Sequence, residues 1–183
     1  MKKRMKKTLS VIAMASLITT SVVTMNVEAA GVTSTESPRL WGQNRYETAV
    51  KVSQTGWTTS DYAVVASGEG YADALSAAPL AKANNAPILL TQKDSLSQTT
   101  LDELKRLQVK HVFIVGGQGV VSQQIEDKIK NEVTADVERL SGQNRYETSV
   151  KVAEKVGVTD KVVLASGQGY ADALSAASMA AIN

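Results

Sequence analysis

The sequence predicts an α/β fold, a Rossmann- or flavodoxin-like parallel sheet with helices on both faces. Three observations carry that prediction. Short apolar runs alternate with helix-patterned segments, glycines stand at the exits of the apolar runs, and a unit of about 100 residues starts a second time. The chain therefore reads as one complete repeat followed by an incomplete second one.

The elements of the first repeat follow in order. Asn44 to Gln54 is patterned as a helix, and Asn44-Arg-Tyr-Glu47 has the spacing of a capping box that opens it. Tyr62-Ala-Val-Val-Ala66 is a short apolar run ahead of Ser-Gly-x-Gly, the pattern of a buried parallel strand. Asp73 to Asn84 is predicted as a single small-residue helix, and Pro87 to Thr91 as a second strand. Ser97 to Leu107 places Leu101, Leu104 and Leu107 along one side of a helix. His111-Val-Phe-Ile-Val115 is a third strand running into Gly116-Gly117. Ser122 to Glu132 sets Ile125 and Ile129 at i, i+4 spacing, and Asp136 to Leu140 is a fourth short strand.

Self-comparison defines the repeat. Arg39 to Val52 returns as Arg139 to Val152 with 12 of 14 positions identical, and Ala66 to Ala81 returns as Ala165 to Ala180 with 13 of 16 identical. The first repeat spans 39–138, and the second, 139–183, holds 45 residues of the unit. Its counterparts of Pro87–Thr91 and His111–Val115 fall past Asn183. The run Val162 to Ala165 is thus expected to lack strand partners. Arg139 to Asn183 is expected to be loosely ordered, or to dock on the first repeat as an appendage, with self-association through the incomplete repeat as a further expectation.

The N-terminus reads as an address. Lys2, Lys3, Arg4, Lys6 and Lys7 precede an uncharged stretch from Thr8 to Val27, whose strongly apolar part is Leu9 to Ile18. Val27-Glu-Ala-Ala30 then fits a small-residue cleavage site after Ala29. This predicts a signal peptide over 1–29 and a polar leader over 30–38, with no stable membrane span after cleavage. The formal charge of +2 comes from that head, since residues 30–183 hold 15 basic and 17 acidic side chains. Overall charge therefore gives no argument for nucleic acid. Absence of cysteine excludes disulfides, thiolate zinc sites and thiol nucleophiles, and the single His111 excludes multi-histidine metal sites. No cofactor or metal is expected, and His111 is expected at a surface or edge.

The blocks R-L-x-G-Q-N-R-Y-E-T, A-S-G-x-G-Y-A-D-A-L-S-A-A, A-P-I-L-L-T and V-F-I-V-G-G-x-x-x-V-S together resemble the type 2 cell wall-binding repeat family. Such repeats occur in exported Gram-positive proteins, including surface-layer proteins and autolysin amidases with their modifier proteins. The resemblance implies Rossmann-like units, usually three in tandem around a pseudo-threefold axis. It also implies non-covalent attachment to anionic wall polymers, teichoic acid or a related phosphate-bearing polysaccharide, at the cell surface. This sequence departs from the pattern in having one complete repeat and part of a second, and it carries no catalytic module. The reading is a non-catalytic wall-binding module. The alternative is a fragment of a larger wall-bound N-acetylmuramoyl-L-alanine amidase or surface-layer protein.

Candidate ligand-binding residues are those that recur or that line strand exits. Arg39, Arg45, Arg139 and Arg145 offer guanidinium forks suited to phosphate. The competing reading pairs each with an acid such as Asp73 or Asp172. The turn of Ser67, Gly68, Gly70, Tyr71 and Asp73 follows a strand, as do Gly116 and Gly117, and α/β sheets bind ligands at such exits. Tyr71 and Tyr170, with Tyr46 and Tyr146, either stack on sugar rings or fill the core. Gly117-Gln-Gly-Val-Val-Ser122 departs from a dinucleotide fingerprint by serine at the third glycine, which argues against nucleotide.

Overall fold

The computed structural model describes residues 39–133, 135–157 and 159–182, so the predicted signal peptide and leader lie outside the described residues. Strands β1 (Tyr62–Ser67), β2 (Ile88–Thr91), β3 (His111–Val115) and β4 (Asp136–Leu140) make one parallel sheet in the order β2-β1-β3-β4. Around it lie α1 (Arg45–Gly56), α2 (Ala72–Ser76), α3 (Ala78–Ala83), α4 (Gln98–Leu107), α5 (Gln123–Val133), α6 (Arg145–Val156) and α7 (Ala171–Ile182). The predicted α/β class with a helix-covered parallel sheet is the fold observed. Among the described residues no helix is long and apolar enough to cross a membrane.

Strand alternation sorts the core onto two faces. Ala63 and Val65 of β1 with Val112 and Ile114 of β3 point to one side, where they meet Val50, Leu101, Leu104, Ile125 and Ile129. Val64, Phe113 and Val115 point to the other, against Leu80, Ala81, Leu140 and Val152. Leu140 and Val152 belong to the second repeat block. The end of β4 and helix α6 thus carry second-block residues that complete the core of the first.

Arg139 anchors β4. Its Nε donates to Glu126 Oε2 at 2.9 Å, while Nη1 donates to the carbonyls of Gly116 at 2.9 Å and Val121 at 2.8 Å. Lys130 also holds Glu126 at 2.7 Å. Burial alone would raise the Glu126 carboxyl, but the hydrogen bonds and charges of Lys130 and Arg139 hold it below its ordinary value. A second polar knot joins α1 to α4. Ser53 Oγ donates to Glu103 at 2.6 Å, and Arg106 grips the same carboxylate while also donating to the carbonyls of Trp57 and Thr58 at 2.9 Å. Here too burial raises the carboxyl, but Arg106, Ser53 and Gln54 together bring Glu103 below its ordinary value.

Two local expectations need correction, the single helix over Asp73–Asn84 and the tyrosines in the core, while Val162 to Ala165 lacks strand partners as expected. The predicted helix over Asp73–Asn84 is broken into α2 and α3, because Pro79 has no N–H to donate to Leu75 and its ring crowds that carbonyl. In the second block Ser178 stands at the matching position, and α7 runs unbroken. Next, Val162 to Ala165 forms no strand, and Val162 and Leu164 are almost wholly exposed. Without a neighbouring strand its backbone groups have no ladder to join. The flanking α6 and α7 dock on α2 and α3, which is the appendage arrangement. Finally, the tyrosines do not fill the core: Tyr71, Tyr146 and Tyr170 are exposed and Tyr46 is half-buried.

Three outcomes are expected. Pro79→Ser fuses α2 and α3, read as continuous helical Cα shifts and a protected amide at residue 79. Arg139→Ala costs about 3 kcal/mol in denaturant unfolding, because it leaves the buried Glu126 carboxylate with Lys130 alone and takes a donor from the Gly116 and Val121 carbonyls. Its repeat counterpart Arg39, exposed with its guanidinium 6.0 Å over the Trp41 ring, costs less than about 0.5 kcal/mol on the same change.

Candidate functional site

Because the chain passes from β2 across β1 to β3, the strand order reverses between β1 and β3. The carboxyl ends of these two strands part around a cleft of about 480 Å³, at the place where open α/β sheets bind ligands. Ser67, Gly70, Tyr71 and Asp73 line it from the turn after β1, and Gly117 to Val120 line it from the turn after β3. The third wall is the start of α6, with Gly142, Gln143, Asn144, Arg145 and Thr148. Both repeat blocks therefore build one cleft.

Local chemistry fixes each wall. Ser67 Oγ accepts from the Glu69 N–H at 3.1 Å, which turns the chain sharply at the end of β1. Gly116 adopts φ +120°, and a β-carbon there would lie 2.7 Å from both Asp73 Oδ2 and Val120 Cγ2. Glycine thereby lets the β3 exit approach the Asp73 carboxylate. At the α6 wall, Asn144 Oδ1 accepts from the N–H groups of Tyr146 and Glu147 at 3.0 Å, and Glu147 Oε2 accepts from the Gln143 N–H at 2.9 Å. The same arrangement recurs at Asn44, Glu47 and Gln43, so the predicted capping box is present, its return bond landing one residue earlier than the standard pattern.

The arginines divide by position. Arg45 Nη1 donates to the Gly68 carbonyl, while Arg145 Nη1 donates to the matching Gly167 carbonyl at 2.8 Å and to Tyr71 Oη at 3.3 Å. Each thus braces its own Ser-Gly-x-Gly turn through a backbone oxygen rather than a carboxylate. Gly68 takes no part in the cleft wall. It lies beneath the Tyr46 ring, whose Cε1 would be 2.6 Å from an added β-carbon. Arg145 is the arginine that reaches the cleft, with its guanidinium 5.6 Å over the Tyr71 ring. Tyr71 in turn meets Tyr170 edge-on at 5.8 Å.

Asp73 is half-buried on the cleft floor. Burial raises its carboxyl above the ordinary aspartate value, and the charge of Arg145 opposes that rise. Arg39, Arg139, Tyr170 and Asp172 do not line the cleft: Arg139 is engaged in anchoring β4, and Asp172 is exposed in the first turn of α7. Gln118, Gly142, Gln143, Asn144 and Thr148 are cleft residues that the sequence reading missed, while Gly119 lines it beside Gly117 as a glycine after the third strand. The signal was the second copy of the Gly-Gln-Asn-Arg turn, whose placement over the first repeat depends on tertiary docking. His111 lies away from this cleft, at the start of the inner strand β3. It stacks on Tyr62 at 4.8 Å, with Nδ1 3.6 Å from Asp136. Among the described residues no group of three or more acidic or histidine side chains gathers as a metal site.

This geometry has known relatives. The chain is 45% identical over 145 residues to the N-acetylmuramoyl-L-alanine amidase LytC of Bacillus subtilis (strain 168), covering 79% of this chain and 29% of that protein. It is 36% identical over 143 residues to the amidase enhancer of the same organism, covering 78% and 20%. It spans less than a third of the length of either. Among solved structures it superposes on Cwp6 from Clostridium difficile with a TM-score of 0.74 and 41% identity, covering 78% of this chain and 23% of that one. Cwp8 from the same organism gives a TM-score of 0.70 at 37% identity, covering 78% and 25%. The Cell wall binding domain 2 (CWB2) profile matches residues 39–126 and 139–183, and the chain belongs to that cell wall-binding family.

Proposed function

We propose that the chain is exported, loses residues 1–29, and attaches non-covalently to an anionic polymer of a Gram-positive cell wall, a teichoic acid or related phosphate-bearing polysaccharide. It acts by binding and not by catalysis. The observation that carries this reading is the cleft at the strand-order reversal, where the Arg145 guanidinium stands opposite the glycine-rich turn Gly117–Gly119. Exposed backbone at such a turn accommodates an anion closely, and a guanidinium gives phosphate a directed, charge-assisted partner. Tyr71, exposed at the rim, offers a flat face to a sugar ring. The share of the relatives that is matched favours a second reading, in which these residues are the wall-binding part of a longer amidase or surface-layer polypeptide.

Asp73 gives the site a pH dependence of known sign. Its charged form repels phosphate, and because its carboxyl is raised it neutralises earlier on acidification than an ordinary aspartate. Binding to the polymer therefore strengthens as pH falls toward the raised pKa of this carboxyl.

Co-sedimentation with purified walls tests both points. The chain is expected to pellet with intact walls and to stay in solution after acid extraction of their anionic polymers or in high salt. Arg145→Ala is expected to weaken binding about tenfold. Asp73→Asn is expected to strengthen it at neutral pH and flatten its pH profile. Undiminished binding to extracted walls would rule out the anionic polymer as the ligand.

A further inference from the structure

The two repeat blocks contain almost the same helix, yet they bury opposite stripes of it. In α1 the buried stripe is Val50 and Ser53, packed toward β2 and α4 of its own repeat. In α6 it is Thr148 and Val152, packed toward α3 and β4. The matching side chains trade places: Val150 is 53% exposed where Val50 is 6%, and Val52 is 45% exposed where Val152 is 2%. The preceding strand segment behaves alike, since Leu140 is 8% exposed within β4 and Leu40 is 40% exposed. Helix and strand segment together thus carry a second apolar face, Leu40–Thr48–Val52, which is already used once inside this molecule as Leu140–Thr148–Val152.

Part of the receptor for that face is also present twice, the β3 portion with Phe113 and Val115 occurring in this sequence once. Leu140 and Val152 sit against Val64, Ala77, Leu80 and Ala81 of the first repeat. At the matching positions of the second lie Val163, Ala176, Met179 and Ala180, with Val163 38% exposed and no residue of α7 buried. We propose that this chain associates head to tail. The Leu40–Thr48–Val52 face of one molecule docks on the α7 and Val163 surface of a second, repeating between molecules the contact that joins the two blocks within one. The occupant is a second copy because the exposed face is, nearly residue for residue, the one already seated on the first repeat. Such an interface is heterologous: it uses different surfaces on the two partners, so an associated pair keeps one free head and one free tail.

That asymmetry sets the test. Both proposed surfaces are open to solvent, so Val52→Asp and Val163→Asp leave the fold intact, as circular dichroism can verify. Sedimentation velocity of the exported chain at about 100 µM is expected to show species larger than a monomer, and each single variant is expected to raise the apparent dissociation constant roughly tenfold or more. Mixing the two variants is the deciding measurement. One has an intact tail and the other an intact head, so together they form a single sound interface and recover a capped dimer. A wild-type chain that stays monomeric at that concentration overturns the proposal and leaves the face to a repeat of another polypeptide. Association that mixing fails to restore also overturns it, in favour of a symmetric contact.

Discussion

The arrangement depends on one guanidinium. Arg139 lies at the junction of the two repeat blocks, and its donors reach the Glu126 carboxylate and the carbonyls of Gly116 and Val121. These acceptors belong to α5 and to the turn after β3, so the arginine fixes β4 against β3 and sets the direction in which the chain leaves the sheet. Everything after it inherits that direction. α6 falls across the sheet face where Val152 seals the core, and its first turn closes the cleft. A lysine could not replace this network, because a single ammonium cannot present a planar fork to acceptors on two sides.

The same economy governs the polar groups around the cleft. Asn144 and Glu147 satisfy the opening of α6, Arg145 satisfies the Gly167 carbonyl, and Ser67 closes its own turn. The walls are therefore held by short-range bonds in which most donors have a protein partner. What remains for a ligand is the outer side of a guanidinium, the backbone of a glycine-rich turn and an aromatic rim. This inventory suits a charged, sugar-bearing polymer that lies along a surface better than a small molecule that must be enclosed.

Much of this was legible in the sequence because it is local. His111–Val115 was readable as a strand, being an apolar run ahead of Gly116-Gly117, and Asn44 announced its helix through cap spacing. Pro79 was equally visible, and its missing N–H is what parts the small-residue segment into two helices. Val162 to Ala165 has nearly the composition of β1 and yet is no strand, since a strand is a property of a pair and composition describes one member. The α6 wall of the cleft was illegible for a related reason. Of its residues only Arg145 was singled out as a ligand-binding candidate, while the part that Gly142, Gln143, Asn144 and Thr148 take in the cleft comes from docking against another repeat.

The exchange of buried stripes between α1 and α6 bears on how this protein can be re-engineered. An average over the two copies would record Val50/Val150 and Val52/Val152 as equally apolar and equally constrained, although neither copy buries both. A tolerance map measured on one copy therefore cannot be transferred to the other by alignment. A polar residue acceptable at 150 would open the core at 50, and one acceptable at 52 would open it at 152. Consensus design, which assumes that matching positions share an environment, would preserve apolar side chains here that solvent faces in half of the cases.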